Sequence, residues 1–86
     1  MKVIKVGAVW CGSCLNMKHI WNEMKKNYNI DLIDLDYDFD EDEVKKYNVG
    51  NKLPVAIILD DNGNELERII GEKKKQEIID IIEKYK

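Results

Sequence analysis

Apolar and polar residues recur with two different periods along this chain, and these periods predict strands and helices in turn. Residues 3–9 are apolar except at Lys5, which predicts a strand buried on both faces. Over residues 14–27 the apolar positions recur every three or four residues, as is typical of an amphipathic helix. Residues 30–37 alternate and predict a second strand. Residues 40–47 begin with acids and end with lysines, which favours a short helix.

The second half of the chain predicts a hairpin and a last helix. Pro54 precedes the apolar run 55–59, which predicts a third strand. The pair Asn62-Gly63 then stands between two apolar stretches and is a strong hairpin signal, so residues 64–70 are predicted to return as an antiparallel fourth strand. Residues 72–86 carry apolar positions at helical spacing and predict the final helix.

The predicted order is therefore βαβαββα. Two strands joined through a helix run parallel with a right-handed crossover. The hairpin then adds two antiparallel strands on the other side of the first strand. We predict an α/β fold with a four-stranded mixed sheet flanked by helices, because the first and third strands look buried on both sides. The 86 residues have no room for a second core, so we expect a single domain spanning 1–86.

Composition and charge limit the binding partners and the cellular compartment that we expect for this protein. The net charge of −3 gives no reason to expect nucleic acid or a membrane surface as a partner. No export signal or membrane-spanning run is visible, so we expect a cytoplasmic monomer. In the cytoplasm the thiol pool keeps structural disulfides reduced, and a close cysteine pair is more often catalytic or metal-binding.

Cys11 and Cys14 lie where the first strand meets the first helix. At this spacing two cysteines share one helix face and can form a disulfide across one turn. Cys11 falls near the helix cap, where unpaired N–H groups and the helix dipole favour a thiolate, the species that attacks disulfides. Gly12 allows the tight entry, and Trp10 places an aromatic plane beside the sulfur. Cys14 lies further inside the helix and is predicted to be the shielded, resolving thiol.

The cysteine pair has two other interpretations, a zinc site and a structural disulfide. A zinc site needs four ligands, and the only further candidate nearby is His19, the single histidine of the chain. A purely structural disulfide at this spacing would close too short a loop to stabilise the fold much. The acidic stretch 31–43 lacks the spacing of a calcium-binding loop and is read as a strand face plus a helix start. We expect no metal and no cofactor.

The run Trp10-Cys11-Gly12-Ser13-Cys14 after a buried strand resembles the active site of the thioredoxin family, and the element order is similar over essentially the whole chain. The resemblance implies a thiol–disulfide oxidoreductase that reduces protein disulfides. It implies that Cys11 is the nucleophile and Cys14 the resolving thiol.

The same resemblance extends to the substrate-binding residues. It matches Pro54, preceded by Leu53, to the family's cis-proline, which faces the disulfide and guides the substrate backbone. It matches Gly71 to the glycine that closes the fourth strand. A groove formed by Trp10, Leu53-Pro54 and the neighbourhood of Gly71 is expected to hold an extended stretch of substrate, with Gly12 and Ser13 beside it.

The chain departs from the family pattern in three places. It begins at the strand before the motif, a layout that resembles glutaredoxins and short thioredoxins. Ser13 stands where most thioredoxins have proline; it keeps a backbone N–H and adds a hydroxyl, and we expect either donor to point at the Cys11 thiolate. Lys5 stands where thioredoxins usually have a buried aspartate that helps deprotonate the resolving thiol, so the sequence does not identify that proton acceptor.

Two alternative functions follow from these features. The short layout favours a glutaredoxin-like reductase that uses glutathione. Trp10 and Gly12 favour a thioredoxin that accepts electrons from a thioredoxin-reductase-type flavoprotein, and no glutaredoxin signature is present. A non-catalytic binding module of the same fold is the other alternative, although such a module has no need of both thiols.

Overall fold

The computed structural model describes residues 1–86, and its elements follow the predicted order. The predicted fold class is confirmed: three helices flank a four-stranded mixed sheet. None of the helices is both long and apolar enough to cross a membrane. The elements are β1 (Lys2–Gly7), α1 (Gly12–Tyr28), β2 (Asp31–Asp36), α2 (Glu41–Lys46), β3 (Val55–Leu59), β4 (Glu65–Ile70) and α3 (Lys75–Tyr85).

The strand order across the sheet is β2-β1-β3-β4. β1 and β2 are parallel, whereas β3 is antiparallel to both β1 and β4. The hairpin therefore lies on the predicted side of the first strand. Because β1 and β2 run in the same direction, the loops that follow them emerge at the same end of the sheet. This arrangement brings the loop after Gly7 next to the loop after Asp36, where the Tyr37 N–H donates to the Gly7 carbonyl over 2.7 Å.

The end of the first strand differs from the predicted one, whereas the start of the first helix agrees. β1 ends at Gly7 rather than Val9, because the Ala8 carbonyl accepts from the Cys11 N–H at 3.1 Å and turns the chain. α1 begins at Gly12, two residues before its apolar periodicity, so Cys11 lies at the helix cap as predicted and Cys14 lies in the first turn.

The last helix begins away from its predicted start. It starts at Lys75 rather than residue 72, because the Glu77 carboxylate accepts from the Lys74 N–H at 3.1 Å and caps the helix there.

The sheet separates two apolar clusters. One cluster lies between the sheet and helices α1 and α3 and includes Val3, Trp21 and Ile58. The other lies on the α2 side and includes Ile4 and Ile57. All of β3 is buried, and so are the apolar residues of β1, which confirms the prediction that both strands are covered on two faces.

Candidate active site

The cysteine pair lies at the N-terminus of α1, directly after β1. Cys11 is the helix cap and has extended backbone dihedrals (φ −97°, ψ 108°). Cys11 and Cys14 are joined by a disulfide, with their Cα atoms 5.3 Å apart. The Cys14 N–H donates to Cys11 Sγ over 3.2 Å. Cys11 Sγ is thus placed at the positive end of the helix dipole, which stabilises negative charge on sulfur.

The two sulfurs have different surroundings although both residues are partly exposed. A Cβ atom built on Gly7 would lie 3.3 Å from Cys14 Sγ, so this sulfur rests against the backbone of β1. Cys11 and Cys14 both line an outer cavity of about 480 Å³, together with Trp10 and Gly12. Only Cys14 also lines an inner cavity of about 250 Å³ behind the disulfide. Cys11 therefore borders the outer cavity alone, whereas Cys14 borders both cavities and rests against the β1 backbone at Gly7.

Trp10 is held by the loop that follows β2. Its side chain is 61% exposed, its Nε1 donates to Asp38 Oδ2 over 2.8 Å, and its ring meets the Tyr37 ring edge-on with the centroids 6.3 Å apart. The Asp36 carboxylate in turn accepts from the N–H groups of Asp38 and Phe39 at 2.9 and 3.0 Å, which fixes the loop. Two residues of the acidic stretch, Asp36 and Asp38, thus hold Trp10 beside the disulfide.

Sequence reasoning missed Asp38 and Tyr37 because it read the stretch 31–43 only as a strand face and a helix start. The predicted strand order nevertheless contained the information needed to place these two residues near the cysteines. Loops that follow two neighbouring parallel strands meet at one end of a sheet, so the residues after β2 belong beside those after β1.

Pro54 lies behind the disulfide. The Leu53–Pro54 peptide bond is cis, as the family resemblance implies. Pro54 lines the inner cavity together with Cys14, and its carbonyl accepts from the Gly71 N–H over 2.8 Å. Gly71 has φ +86°, a conformation that favours glycine. Leu53 packs instead against the apolar cluster on the α2 side and lines neither cavity.

In the disulfide form Ser13 makes no hydrogen bond to Cys11. Ser13 is half-buried in the first turn of α1. The donor to Cys11 Sγ is the N–H of Cys14, which occupies the third helical position, a usual partner of a helix cap. The expectation for residue 13 concerns the Cys11 thiolate of the dithiol form and stays a prediction.

Apolar side chains are exposed around the disulfide. Four of the six large hydrophobic residues that are exposed belong to the loop after β1, the start of α1 and the loop after β2, at 61–83% exposure. We call these four the apolar rim: Val9, Trp10, Leu15 and Phe39. An exposed apolar group around a reactive atom is typical of a surface that binds other proteins.

A disulfide across the first turn of a helix, set at the end of a central strand and backed by a proline, defines the class of thiol–disulfide oxidoreductases. The thioredoxin family model matches residues 1–84. The chain belongs to the thioredoxin family.

Relatives and solved structures agree with this assignment. The chain is 35% identical to thioredoxin H2 of Arabidopsis thaliana over 75 residues, which span 86% of this chain but only 55% of that protein. It is 25% identical to a thioredoxin of Staphylococcus epidermidis, covering 99% of this chain and 82% of the relative. Thioredoxin 1 of Thermosipho africanus superposes with a TM-score of 0.88 at 27% identity, covering 99% of this chain and 93% of that one.

Proposed function

We propose that this protein reduces disulfide bonds in other proteins by dithiol–disulfide exchange through Cys11 and Cys14. The observation that carries the proposal is the placement of the two sulfurs. Cys11 caps α1 and lines an outer cavity beside the apolar rim, whereas Cys14 is covered by the β1 backbone at Gly7. This arrangement suits an attacking sulfur and a resolving sulfur respectively.

The reaction has two steps. In the dithiol form the Cys11 thiolate attacks a substrate disulfide, forms a mixed disulfide and releases the first substrate sulfur as a thiolate. Cys14 then loses its proton and attacks Cys11 Sγ. The bond between Cys11 and the substrate breaks, and its electron pair leaves with the second substrate sulfur. The substrate is reduced, and the Cys11–Cys14 bond is restored.

The apolar rim supports a protein substrate rather than a small disulfide. Trp10 offers a fixed aromatic face on one side of Cys11, held by its bond to Asp38. Pro54 lines the inner cavity with Cys14, and Gly71 donates its N–H to the Pro54 carbonyl. We assign these residues to the binding of an extended peptide segment next to the substrate disulfide, with apolar side chains on the rim.

We propose a thioredoxin-reductase-type flavoprotein as the electron donor. Trp10 and Gly12 support this donor, since they flank Cys11 as in thioredoxins. The test compares turnover by such a reductase with turnover by glutathione in a hydroxyethyl disulfide assay. Faster reduction by the flavoprotein supports the proposal. Turnover by glutathione alone would instead assign the protein to the glutaredoxin-like alternative.

The insulin assay tests the catalytic proposal. With dithiothreitol as the reductant, the wild type should accelerate insulin reduction, and both Cys11→Ser and Cys14→Ser should abolish the acceleration. Cys14→Ser should in addition accumulate a mixed disulfide with its substrate, detected by mass spectrometry, and Cys11→Ser should not.

Wild-type protein that leaves insulin reduction at the uncatalysed rate would show that the fold serves as a binding module. Preferential alkylation of Cys14 by brief iodoacetamide treatment would reverse the two roles.

We also propose that the protein works in the cytoplasm, because a reductase must return to its dithiol form in a compartment whose thiol pool is reducing. Acid-quenched cells treated with an alkylating reagent should then contain the cysteine pair mainly as thiols. A pair found mainly as the disulfide would indicate an oxidising compartment.

A further inference from the structure

Lys5 places a positive charge in the central strand, behind the cysteine pair. Its side chain is only 13% exposed, and its Nζ lies 3.2 Å from Oδ1 of Asp34, the residue opposite it on β2. Because side chains alternate along a strand, Lys5 lies on the same face of β1 as Gly7. Gly7 is the residue against which Cys14 Sγ rests. Lys5 is therefore one position along the strand face from the resolving sulfur.

Lys5 and Cys14 line the same inner cavity. The other charged residues that line it are Lys18 from α1, Asp34 from β2, and Asp36 and Asp40 at and after the end of β2. Two of these carboxylates already accept backbone hydrogen bonds: Asp36 from the loop that holds Trp10, and Asp40 from the N–H of Asp36 at 2.7 Å.

The remaining charges at the cavity are more open to water than Lys5. Asp34 is 70% exposed, and Lys18 lies on the exposed face of α1. A charge that is mostly removed from water interacts more strongly with its neighbours than an exposed one does. Lys18 lines both cavities with Cys14, but Lys5 is the less exposed of the two cations and the less screened by water.

We propose that Lys5 is a positioning residue for the resolving step, and that its positive charge stabilises the Cys14 thiolate that attacks Cys11 in the mixed disulfide. The proposal rests on the function proposed above and concerns its second step alone. The proton of Cys14 passes to water through the open inner cavity. The new Cys11–Cys14 bond then forms as the substrate sulfur leaves with its electron pair.

The size of the effect follows from two opposing terms. A partly buried positive charge near a thiol raises the thiolate fraction by about tenfold at a given pH below its ionisation midpoint, with Asp34 offsetting part of the charge. A stabilised thiolate is also a weaker nucleophile, with a Brønsted coefficient of about 0.4–0.5. The net gain in the resolving rate is about threefold near neutral pH, and it reverses at high pH where Cys14 is ionised with or without Lys5.

The test is a stopped-flow reaction of the dithiol protein with dithiobis(nitrobenzoate), a chromogenic disulfide. Attack by Cys11 releases a first coloured thiolate, and resolution by Cys14 releases a second. In Lys5→Met we expect a first phase within about twofold of wild type and a second phase about threefold slower near neutral pH. The pH midpoint of the second phase should rise by about one unit, and its high-pH plateau should exceed that of wild type.

Three further variants separate charge from packing. Lys5→Arg keeps the charge and should restore the wild-type midpoint, and Lys2→Met removes a lysine of β1 that lines neither cavity and should leave it unchanged. Asp34→Asn leaves Lys5 charged, so its midpoint should stay at or below that of wild type. A raised midpoint in Asp34→Asn, with Lys5→Met like wild type, would assign proton transfer to Asp34 and overturn the proposal. If Lys5→Met does not fold, Lys5→Gln provides the same test.

Failure of this proposal is distinguishable from failure of the proposed function. If the protein is no reductase, the wild type lacks insulin turnover, although its close thiol pair can still show the second phase. If only the role of Lys5 is wrong, the wild type shows both, and the Lys5 variants share its second-phase pH profile.

Discussion

Individual residues decide how the two sulfurs differ, and glycines show this most directly. Gly7 has little room for a side chain, because its Cβ would lie 3.3 Å from the Sγ and 3.4 Å from the Cβ of Cys14. Gly12, at the start of α1, has no heavy atom within 4 Å of the corresponding position. The same substitution is therefore harder to accommodate at Gly7 than at Gly12.

We predict that Gly7→Ala raises the free energy of unfolding less than Gly12→Ala does, because Cys14 must shift by a few tenths of an ångström to admit the new Cβ atom. Gly12→Ala should raise it by about 0.5–1 kcal/mol, since alanine loses less backbone entropy than glycine on helix formation. Urea unfolding of both disulfide forms measures the two changes. Equal effects at the two sites would show that Cys14 does not rest on β1 as described.

Ser13 gives the second prediction at this scale. Because the donor to Cys11 Sγ is the Cys14 N–H, replacing Ser13 leaves that hydrogen bond in place. Proline is tolerated in the first turn of a helix, where its missing N–H has no intrahelical partner. Ser13→Pro should therefore move the reduction potential by less than about 30 mV, the shift that corresponds to 1.4 kcal/mol for this couple. Equilibration against glutathione measures the change, and a larger fall would show that residue 13 contacts the thiolate in the dithiol form.

At the scale of elements, the β3–β4 hairpin has the predicted turn residues but a longer connection than predicted. The Asn62-Gly63 pair does mark the hairpin, and Gly63 adopts φ +87°. The connection is nevertheless longer than a two-residue turn, because Leu59 pairs with Glu65 across a register shift. Asp60 organises this longer turn.

The Asp60 carboxylate makes the stability of the hairpin depend on pH. The backbone N–H of Asn64 donates to its carboxylate, as do the Asn64 side chain and the Asn62 N–H, and these bonds lower the pKa of Asp60 below its ordinary 3.8. A lowered folded-state pKa means that the stabilisation is present above the ordinary value and is lost as the pH falls through the folded one. Wild type should thus lose its stability advantage over Asp60→Asn on acidification, as followed by thermal unfolding. A pH-independent difference would contradict this account.

Over the whole molecule, β3 joins the two apolar clusters. Ile57 belongs to the cluster on the α2 side, and Ile58 belongs to the cluster on the α1 and α3 side, although the two are neighbours in sequence. We propose that both clusters, and hence residues 1–86, unfold together as one domain, because neither can lose β3 without exposing the other.

We predict that Ile57→Val and Ile58→Val each lower the free energy of unfolding by about 0.5–1.5 kcal/mol. Each variant should retain a single transition that far-ultraviolet and near-ultraviolet circular dichroism report at the same denaturant concentration. Separate transitions in either variant would divide the chain into two cooperative units.

The parts of the structure that the sequence could predict are those set by local periodicity. Alternating residues indicate the strands, and a motif of four residues such as Cys11-Gly12-Ser13-Cys14 forms within one helical turn. The contacts that shape the site join residues far apart in sequence. Trp10 meets Asp38 and Lys5 meets Asp34 only once β1 and β2 are aligned in register, and a pattern in one strand does not specify that register.

The sheet order has one more consequence, for the behaviour of the protein in concentrated solution. β2 and β4 are the outermost strands, so their free backbone groups could pair with a strand of another chain. Both carry charge along their length: three aspartates in β2, and Glu65, Glu67 and Arg68 in β4. A second copy that paired through β2 would set aspartates against aspartates, whereas β4 carries charges of both signs. Charge repulsion therefore opposes edge-to-edge association of copies through β2 in concentrated solution.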